Sequence, residues 1–208
     1  NPFVRRIGIN LKIFDKPSSR KLHTKSIVRI GGLTIFIGLY LSIFFYWIIH
    51  SNFSFNQIQI EYFFPIAISG FFIFLAGIAD DIYSISPFKR LFIQFGISFF
   101  VFLKGISFNS IDLTTLPFIN QPIILNNYIN AFFTIFWITG VTNALNWIDG
   151  IDGLAASVAG LSFFGVAIIS IVFGKFFIAI YSLMLFGLCM GFLKLNSYPA
   201  KIFMGDCG

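Results

Sequence analysis

Long apolar stretches separated by short polar segments are the dominant pattern of this chain. Six of them are long enough, or nearly so, to cross a bilayer as a helix, which takes roughly 20 residues. They lie near residues 30–49, 62–79, 91–108, 128–147, 154–173 and 176–193. The pattern predicts an all-α polytopic membrane protein with about six transmembrane helices.

The composition supports this interpretation. Of the 208 residues, 57% are hydrophobic, 11% are charged and 31 are phenylalanine. A soluble domain of this length could not enclose so much apolar surface, whereas a helix that faces lipid tolerates phenylalanine. The phenylalanines are therefore interpreted mainly as lipid-facing, with the lining of a groove as the alternative.

The ends of the chain suggest a piece of a longer protein. The first residue is Asn1 and not an initiator methionine, and the last, Gly208, lies in a polar loop. We therefore expect both ends to be cut. The predicted organisation is a basic cytoplasmic segment, 1–29, which has no long apolar core and so is not a signal peptide, followed by a transmembrane core, 30–208.

The positive charges predict how the spans are oriented. Eight lysines and arginines lie in residues 1–29. If this segment is cytoplasmic, the alternation of six spans places every one of the 14 lysines and arginines on the cytoplasmic side except Lys104 and Lys175. Cytoplasmic loops carry an excess of such residues, so the distribution favours this orientation.

The same orientation brings most of the acidic residues to one membrane face. The outer side keeps Glu61 and Asp112, and the outer connection 109–127 is expected to form a short hairpin or a surface helix. A tight turn is expected around Gly174 and Lys175, between the last two spans. Carboxylates from three distant pieces of the chain fall on the cytoplasmic side, namely Asp80, Asp81, Asp149, Asp152 and Asp206.

The first piece is an adjacent acid pair, Asp80 and Asp81, at the inner end of the second span. The negative end of the helix dipole and the mutual repulsion of the two carboxylates both disfavour this arrangement. A bound cation or a basic neighbour would offset the penalty, and Lys89 and Arg90 follow at the next span. The alternative interpretation is a solvated turn.

The second piece is "NALNWIDGIDGL", residues 143–154. Its two glycines, Gly150 and Gly153, predict that the helix ends near Trp147 or Ile148 and that an irregular turn follows. Irregular backbone beside a membrane requires a covering partner, and the next span presents its positive N-terminus there. A phosphate with a divalent metal would satisfy both the helix end and the acids, Asp149 and Asp152.

Two side chains of this stretch have a simpler alternative. Asp152 could be the N-cap of the span that follows, and Asn143 is expected to make an interhelical hydrogen bond. The third piece, "YPAKIFMGDCG" (198–208), is on its own a polar loop that contains Asp206. Cys189 and Cys207 have no metal-ligand spacing and are expected to be free thiols.

Four motifs, in this order and separation, resemble the polyprenyl-phosphate N-acetylhexosamine-1-phosphate transferases, which belong to glycosyl transferase family 4. They are "RKLHTKSIVRIGG" (20–32), "GIADDIYSISPFKRLFIQ" (77–94), "TNALNWIDGIDGLAAS" (142–157) and "IFMGDCG" (202–208). The resemblance implies transfer of a sugar 1-phosphate from a UDP-N-acetylhexosamine to polyprenyl phosphate, with Mg²⁺ or Mn²⁺ and release of UMP. It also implies a site on the cytoplasmic face of the inner membrane, a possible homodimer and no nucleic-acid partner.

The matching positions imply a role for each residue. Asp206 corresponds to the metal ligand, and Phe203 to the aromatic residue that stacks on uracil. Arg90, rather than Lys89, takes the phosphate-facing position. The resemblance assigns catalysis to Asp80, Asp81, Asp149 and Asp152, substrate binding to Asn146, Phe203, Arg90, His23 and Arg29, and the metal to Asp206.

This chain departs from the family's usual pattern in its first motif. Where that pattern reads H-x-x-P-x-P-R-x-G-G, both prolines are replaced, by Ser26 and Val28. The family's later histidine loop is also absent from these 208 residues. Two alternatives stay open: a transporter with a cytoplasmic-side ion site, and a family member that has lost catalysis.

Overall fold

The computed structural model describes residues 8, 14–15, 27–49, 57–111, 114, 118 and 121–208. In this part of the chain, each of the six predicted spans corresponds to one helix. The helices are α1 (Gly32–Ile49), α2 (Gln57–Tyr83), α3 (Pro87–Leu103), α4 (Asn127–Ile148), α5 (Leu154–Val172) and α6 (Phe176–Asn196).

The helices of the described residues confirm the prediction of a polytopic membrane protein. Four of them are long and apolar enough to cross a bilayer, over Glu61–Tyr83 of α2 and the whole of α4, α5 and α6. Helix α1 contains a shorter apolar segment, Gly32–Tyr46, and α3 has 17 residues. The mainly helical, multi-pass class is therefore as predicted.

Turn residues set the helix ends. After α2 the backbone of Ser84 takes a left-handed φ of 51°, and Pro87 begins α3 at a position where its missing N–H costs nothing. The tight turn expected around Gly174 and Lys175 joins α5 to α6, with a φ of 67° at the glycine. The polar signals between the apolar stretches thus act as helix boundaries.

Two short strand pairs accompany the helices. Strand β1 (Phe14–Asp15) pairs antiparallel with β2 (Ile27–Val28), with Phe14 opposite Val28. Strand β3 (Ser110–Ile111) pairs antiparallel with β4 (Ile123–Ile124). The second pair lies in the connection 109–127, so the hairpin alternative is the one that the described residues of this connection support.

The chain divides into two compact units. The first consists of the described residues of Asn1–Phe55 with Phe74–Ile85 and Leu145–Gly208. Helices α5 and α6 pack along each other there, and the small side chains of α5 let α6 approach closely. The buried core of this unit is Ala155, Ala156, Phe192, Ile202 and Met204.

The second unit consists of Asn56–Ile73 and Ser86–Ala144. Polar side chains link α3 to α4 within it: the amide of Asn143 donates to Gln94 Oε1 at 2.6 Å, and the hydroxyls of Ser98 and Thr139 lie 3.2 Å apart. Such bonds join helices where the hydrophobic effect between them is weak. The predicted interhelical bond of Asn143 is confirmed.

Candidate active site

The last segment of the chain is held against Val28 at the end of β2 and against the residues that follow it. Val28 and Ile202 form a parallel bridge, and the N–H of Phe203 donates to the carbonyl of Val28 at 2.9 Å. Gly31 and Gly32 then donate their N–H groups to the carbonyls of Phe203 and Met204, both at 2.8 Å. These backbone bonds bring the turn at residues 205–207 beside Arg29.

Two glycines allow the chain to come this close. Gly205 has a φ of 77°, and a Cβ there would lie 2.8 Å from both the carbonyl of Arg29 and a carboxylate oxygen of Asp81. A Cβ on Gly77 of α2 would lie 2.2 Å from the carbonyl oxygen of Asp206. Both distances are shorter than real Cβ contacts, so only glycine fits at either position.

The carboxylate of Asp81 caps this turn. It accepts the backbone N–H of Asp206 at 3.0 Å and that of Cys207 at 3.1 Å, and Arg29 Nε lies 3.3 Å from its Oδ1. The side chain is fully buried. Asp81 lies in the last turn of α2, where the helix dipole disfavours an anion, and these donors offset that penalty.

Asp206 is bound on both of its carboxylate oxygens. Arg29 Nη2 donates to Oδ2, and Asn146 Nδ2 donates to Oδ1. The Asp206 side chain is 9% exposed, whereas that of Arg29 is 39% exposed. One guanidinium therefore bridges two buried acids and is itself the exposed member of the group.

Asp149 follows α4 directly and lies in the same electrostatic environment. The pKa of Asp149 is raised to about 6: burial is the largest cause, the charges of Asp206 and Asp81 add to it, and Arg29 and a hydrogen bond with the backbone of Gly205 act in the opposite direction. The Asp149 carboxyl group is thus close to Arg29, Asp81 and Asp206, although Asp149 follows α4 and these three residues belong to other segments. We call Arg29, Asp81, Asn146, Asp149 and Asp206 the acid cluster.

The turn between α4 and α5 has the predicted irregular backbone. Gly153, the N-cap residue of α5, has a φ of 74° and no side chain with which to cap the helix. Asp152 Oδ2 instead accepts the backbone N–H of Ala200 at 2.9 Å. The N-cap alternative for Asp152 is therefore wrong, because its carboxylate ties the turn to the segment after α6.

Asn196 is a site residue that the sequence reasoning missed. It is 1% exposed; its Oδ1 accepts the N–H of Gly153 at 3.1 Å, and its Nδ2 donates to the carbonyl of Ile202 at 3.0 Å. One side chain thus fastens the turn after α4 to the segment that leads to Asp206. In the sequence, Asn196 is an amide at the end of an apolar helix. Such a residue can be recognised as buried only once its neighbours are known.

The remaining predicted site residues fall into three groups. Asp80 is 8% exposed and directly precedes Asp81 in α2, and Phe203 is half-buried in the segment before Asp206. Arg90 belongs to the first turn of α3, in the second compact unit. His23 lies outside the described residues.

The fit of the acid cluster to a divalent metal is mixed. Its carboxylate and amide oxygens are the ligand types that Mg²⁺ prefers. Among the described residues, however, no group of three or more His, Cys, Asp or Glu side chains is arranged to hold a metal ion, and Arg29 and Asn146 bind both oxygens of Asp206. The oxygen ligands of the cluster are therefore of the type that Mg²⁺ binds, but in this arrangement Arg29 and Asn146 already bind the carboxylate of Asp206.

The two cysteines have the predicted free thiols, and both are buried. The thiol of Cys207 contacts the carbonyl of Met204 at 3.8 Å. Burial, followed by the charge of Asp81, raises the pKa of Cys207 above its ordinary value. A thiol that stays protonated is a poor nucleophile, so Cys207 contributes packing to the turn.

Comparison of the sequence with known proteins identifies its family. Residues 63–208 match the sequence profile of glycosyl transferase family 4. The chain is 35% identical over 207 residues to a probable undecaprenyl-phosphate N-acetylglucosaminyl 1-phosphate transferase of Bacillus subtilis (strain 168), a match that covers 100% of this chain and 54% of the relative.

Other relatives share shorter stretches. A phospho-N-acetylmuramoyl-pentapeptide-transferase of Prochlorococcus marinus (strain MIT 9301) is 46% identical over 57 residues, which are 26% of this chain and 16% of the relative. One of Staphylococcus aureus (strain JH9) is 29% identical over 123 residues, or 58% of this chain and 38% of the relative. The chain spans about half the length, or less, of these curated relatives.

The fold and the site define a multi-pass helical membrane protein that gathers carboxylates and an arginine from distant segments. The chain belongs to glycosyl transferase family 4, as its motifs predicted.

Proposed function

We propose that the protein containing this chain transfers an N-acetylhexosamine 1-phosphate from a UDP-sugar to polyprenyl phosphate and releases UMP. The family match and the name of the Bacillus subtilis relative support this reaction. In a bacterial cell it would initiate the synthesis of a cell-envelope glycan. The distribution of lysine and arginine supports a cytoplasmic site in the inner membrane, and a homodimer stays a prediction.

The observation that carries the proposal is the convergence of the acid cluster from four segments of the chain. Arg29 bridges Asp81 of α2 and Asp206 of the last segment, and Asn146 of α4 binds Asp206 as well. Phosphoryl transfer depends mainly on positioning and on neutralising phosphate charge. A rigid group of acids with one bridging guanidinium is suited to both tasks.

The residues of this chain divide the work as follows. Phe203 stacks on the uracil ring, and the turn with Asp149 and Asp152 shapes the nucleotide pocket. Asp80 positions the phosphate of the lipid acceptor, with Arg90 as a phosphate-facing cation. Asp81, whose oxygens accept two backbone N–H groups, positions Asp206.

A divalent cation, Mg²⁺ or Mn²⁺, would be held by Asp206. When bound, it would supply positive charge to the phosphate oxygens of the donor. The protein itself would bind the phosphate groups. Arg29 and Arg90 have guanidinium groups, which can bind phosphate oxygens in a bidentate manner. Asn146 orients the Asp206 carboxylate.

The test measures UMP release by the complete protein in detergent, with UDP-N-acetylglucosamine, undecaprenyl phosphate and Mg²⁺. Activity is expected to require all three, and Asp206→Asn is expected to abolish it. The control variant is Glu61→Gln, an exposed acid at the far end of α2. Turnover without a divalent cation, or a fully active Asp206→Asn variant, would contradict the metal assignment, and a panel of UDP-sugars would identify the donor.

A further inference from the structure

We propose that Arg29 is the resident counter-ion of Asp206 and that it competes with the divalent cation for this carboxylate. In the arrangement described above, the guanidinium closes the acid cluster, and a cation binds only when Arg29 releases Asp206. This inference rests on the proposed function for the existence of a cation site. It goes beyond that function by assigning Arg29 the role of a gate to the site.

The contacts of Arg29 are those of a counter-ion. Its Nη2 binds Asp206 and its Nε lies 3.3 Å from Asp81, so a single guanidinium serves two carboxylates. A cation bound to Asp206 would lie within a few ångströms of this group, and like charges at such separations repel each other. Arg29 and the cation therefore exclude each other at Asp206.

Burial gives the competition a direction. The side chains of Asp81 and Asp206 are 0% and 9% exposed, whereas Arg29 is 39% exposed. A hydrated cation that arrives from solvent thus meets the guanidinium before it meets the acids. The exposed side of Arg29 also gives its long side chain somewhere to go when it is displaced.

The cluster can lose Arg29 without losing its shape. The backbone on either side of Arg29 is fixed, because Val28 accepts the N–H of Phe203 and Gly31 donates to the carbonyl of Phe203. Asp81 keeps its hydrogen bonds to the N–H groups of Asp206 and Cys207. Release of Arg29 is therefore a movement of one side chain on a rigid frame.

Displacement also makes a phosphate-binding group available. Once released from Asp206, the planar guanidinium of Arg29 can bind phosphate oxygens in the bidentate geometry that arginine favours. Cation binding and anion binding would each stabilise the open arrangement, so each should strengthen the other. Arg29 would then couple the metal to the diphosphate of the donor.

The experiment measures binding of Mn²⁺ alone to the complete protein in detergent, from the electron paramagnetic resonance signal of free Mn²⁺. Removal of the competing charge by Arg29→Gln is expected to tighten Mn²⁺ binding by roughly tenfold or more. Arg29→Lys cannot span both carboxylates and should give a smaller increase. Asp206→Asn should lose this site, and Lys201→Gln, which removes an exposed charge outside the cluster, should change the affinity less than about twofold.

Equal or weaker Mn²⁺ binding by a folded Arg29→Gln variant would overturn the proposal, since it would make Arg29 a supporting group. If Arg29→Gln does not fold, Arg29→Lys is compared with the wild type instead. Tighter Mn²⁺ binding by Arg29→Lys supports the proposal, and equal or weaker binding overturns it. Absence of Mn²⁺ binding in the wild type and in every Arg29 variant would overturn both this proposal and the metal assignment. If Arg29→Gln binds Mn²⁺ more tightly but the wild-type protein releases no UMP, the result would support the gate and contradict the transferase function.

Discussion

The carboxylate of Asp81 accepts a hydrogen bond of 3.0 Å from the backbone N–H of Asp206, a residue 125 positions further along the chain. The same carboxylate accepts the N–H of Cys207. These bonds define the conformation of the turn at residues 205–207. This turn carries Asp206, the predicted metal ligand. We therefore propose that Asp81 acts through the position of Asp206.

Asp81→Asn should damage both stability and activity. Its amide nitrogen would face one of the two N–H donors, and Arg29 would lose one of its two acids. We expect destabilisation by about 2–3 kcal/mol and UMP release lowered by about 100-fold, because the displaced turn misplaces Asp206. Thermal unfolding and the UMP assay measure these effects, with Glu61→Gln as the control on the same helix. An Asp81→Asn variant with wild-type unfolding would show that the cap is dispensable.

Gly77→Ala tests the close approach of α2 to the turn at residues 205–207. The added Cβ would lie 2.2 Å from the carbonyl oxygen of Asp206, so one of the two segments must move. We expect a loss of about 1–3 kcal/mol and a clear loss of activity. Gly70→Ala is the matched control, because its Cβ meets nothing within 4 Å and alanine favours a helix by about 1 kcal/mol. Similar behaviour of the two variants would contradict the close approach.

The helices were predictable because their signals are local. Apolar length identified six segments, and Gly153 and Gly174 marked turns at which the backbone indeed takes positive φ values. The interhelical bond of Asn143 was also expected, since an amide deep in a span must find a partner. Each of these inferences needs only the residue and the membrane around it.

The connections between segments were not predictable in the same way. Asp152 was given the N-cap as an alternative, but its partner is the backbone N–H of Ala200. Asn196 and Gly77 matter because of atoms that belong to residues far away in sequence. Backbone donors, acceptors and steric limits are the same for every residue type, so the sequence carries no mark of which ones meet.

The hydrogen bond between Asn143 and Gln94 should contribute measurably to the packing of α3 on α4. Replacement of either residue by alanine leaves the other side chain without this partner in a low-dielectric environment. A double-mutant cycle is expected to give a coupling energy of about 0.6–1.7 kcal/mol, measured by unfolding in sodium dodecyl sulphate. Thr142→Ala serves as the control, because among the described residues the Thr142 hydroxyl donates within its own helix, to the carbonyl of Ile138. A coupling energy of zero would mean that the bond adds nothing to stability.

The raised pKa of Asp149 should appear in the pH dependence of stability. Burial is the main cause of this shift, which takes the pKa of Asp149 from 3.8 to about 6. Between these values the folded protein binds more protons than the unfolded chain, so stability falls as pH rises from 3.8 to about 6 and this contribution is constant above. With EDTA present, the melting temperature of the wild type should therefore decrease across this window.

Asp149→Asn should reduce that decrease, because an amide carries no charge to bury. At neutral pH the variant is expected to melt at a higher temperature than the wild type and to release UMP more slowly, whereas at pH 4 the two should melt together. Asp152→Asn, which can still accept the N–H of Ala200, should keep the wild-type decrease. An unchanged pH dependence in Asp149→Asn would exclude Asp149 as its source. A stabilised but slower variant would mean that the ionised carboxylate is retained at a cost in stability because the site requires it.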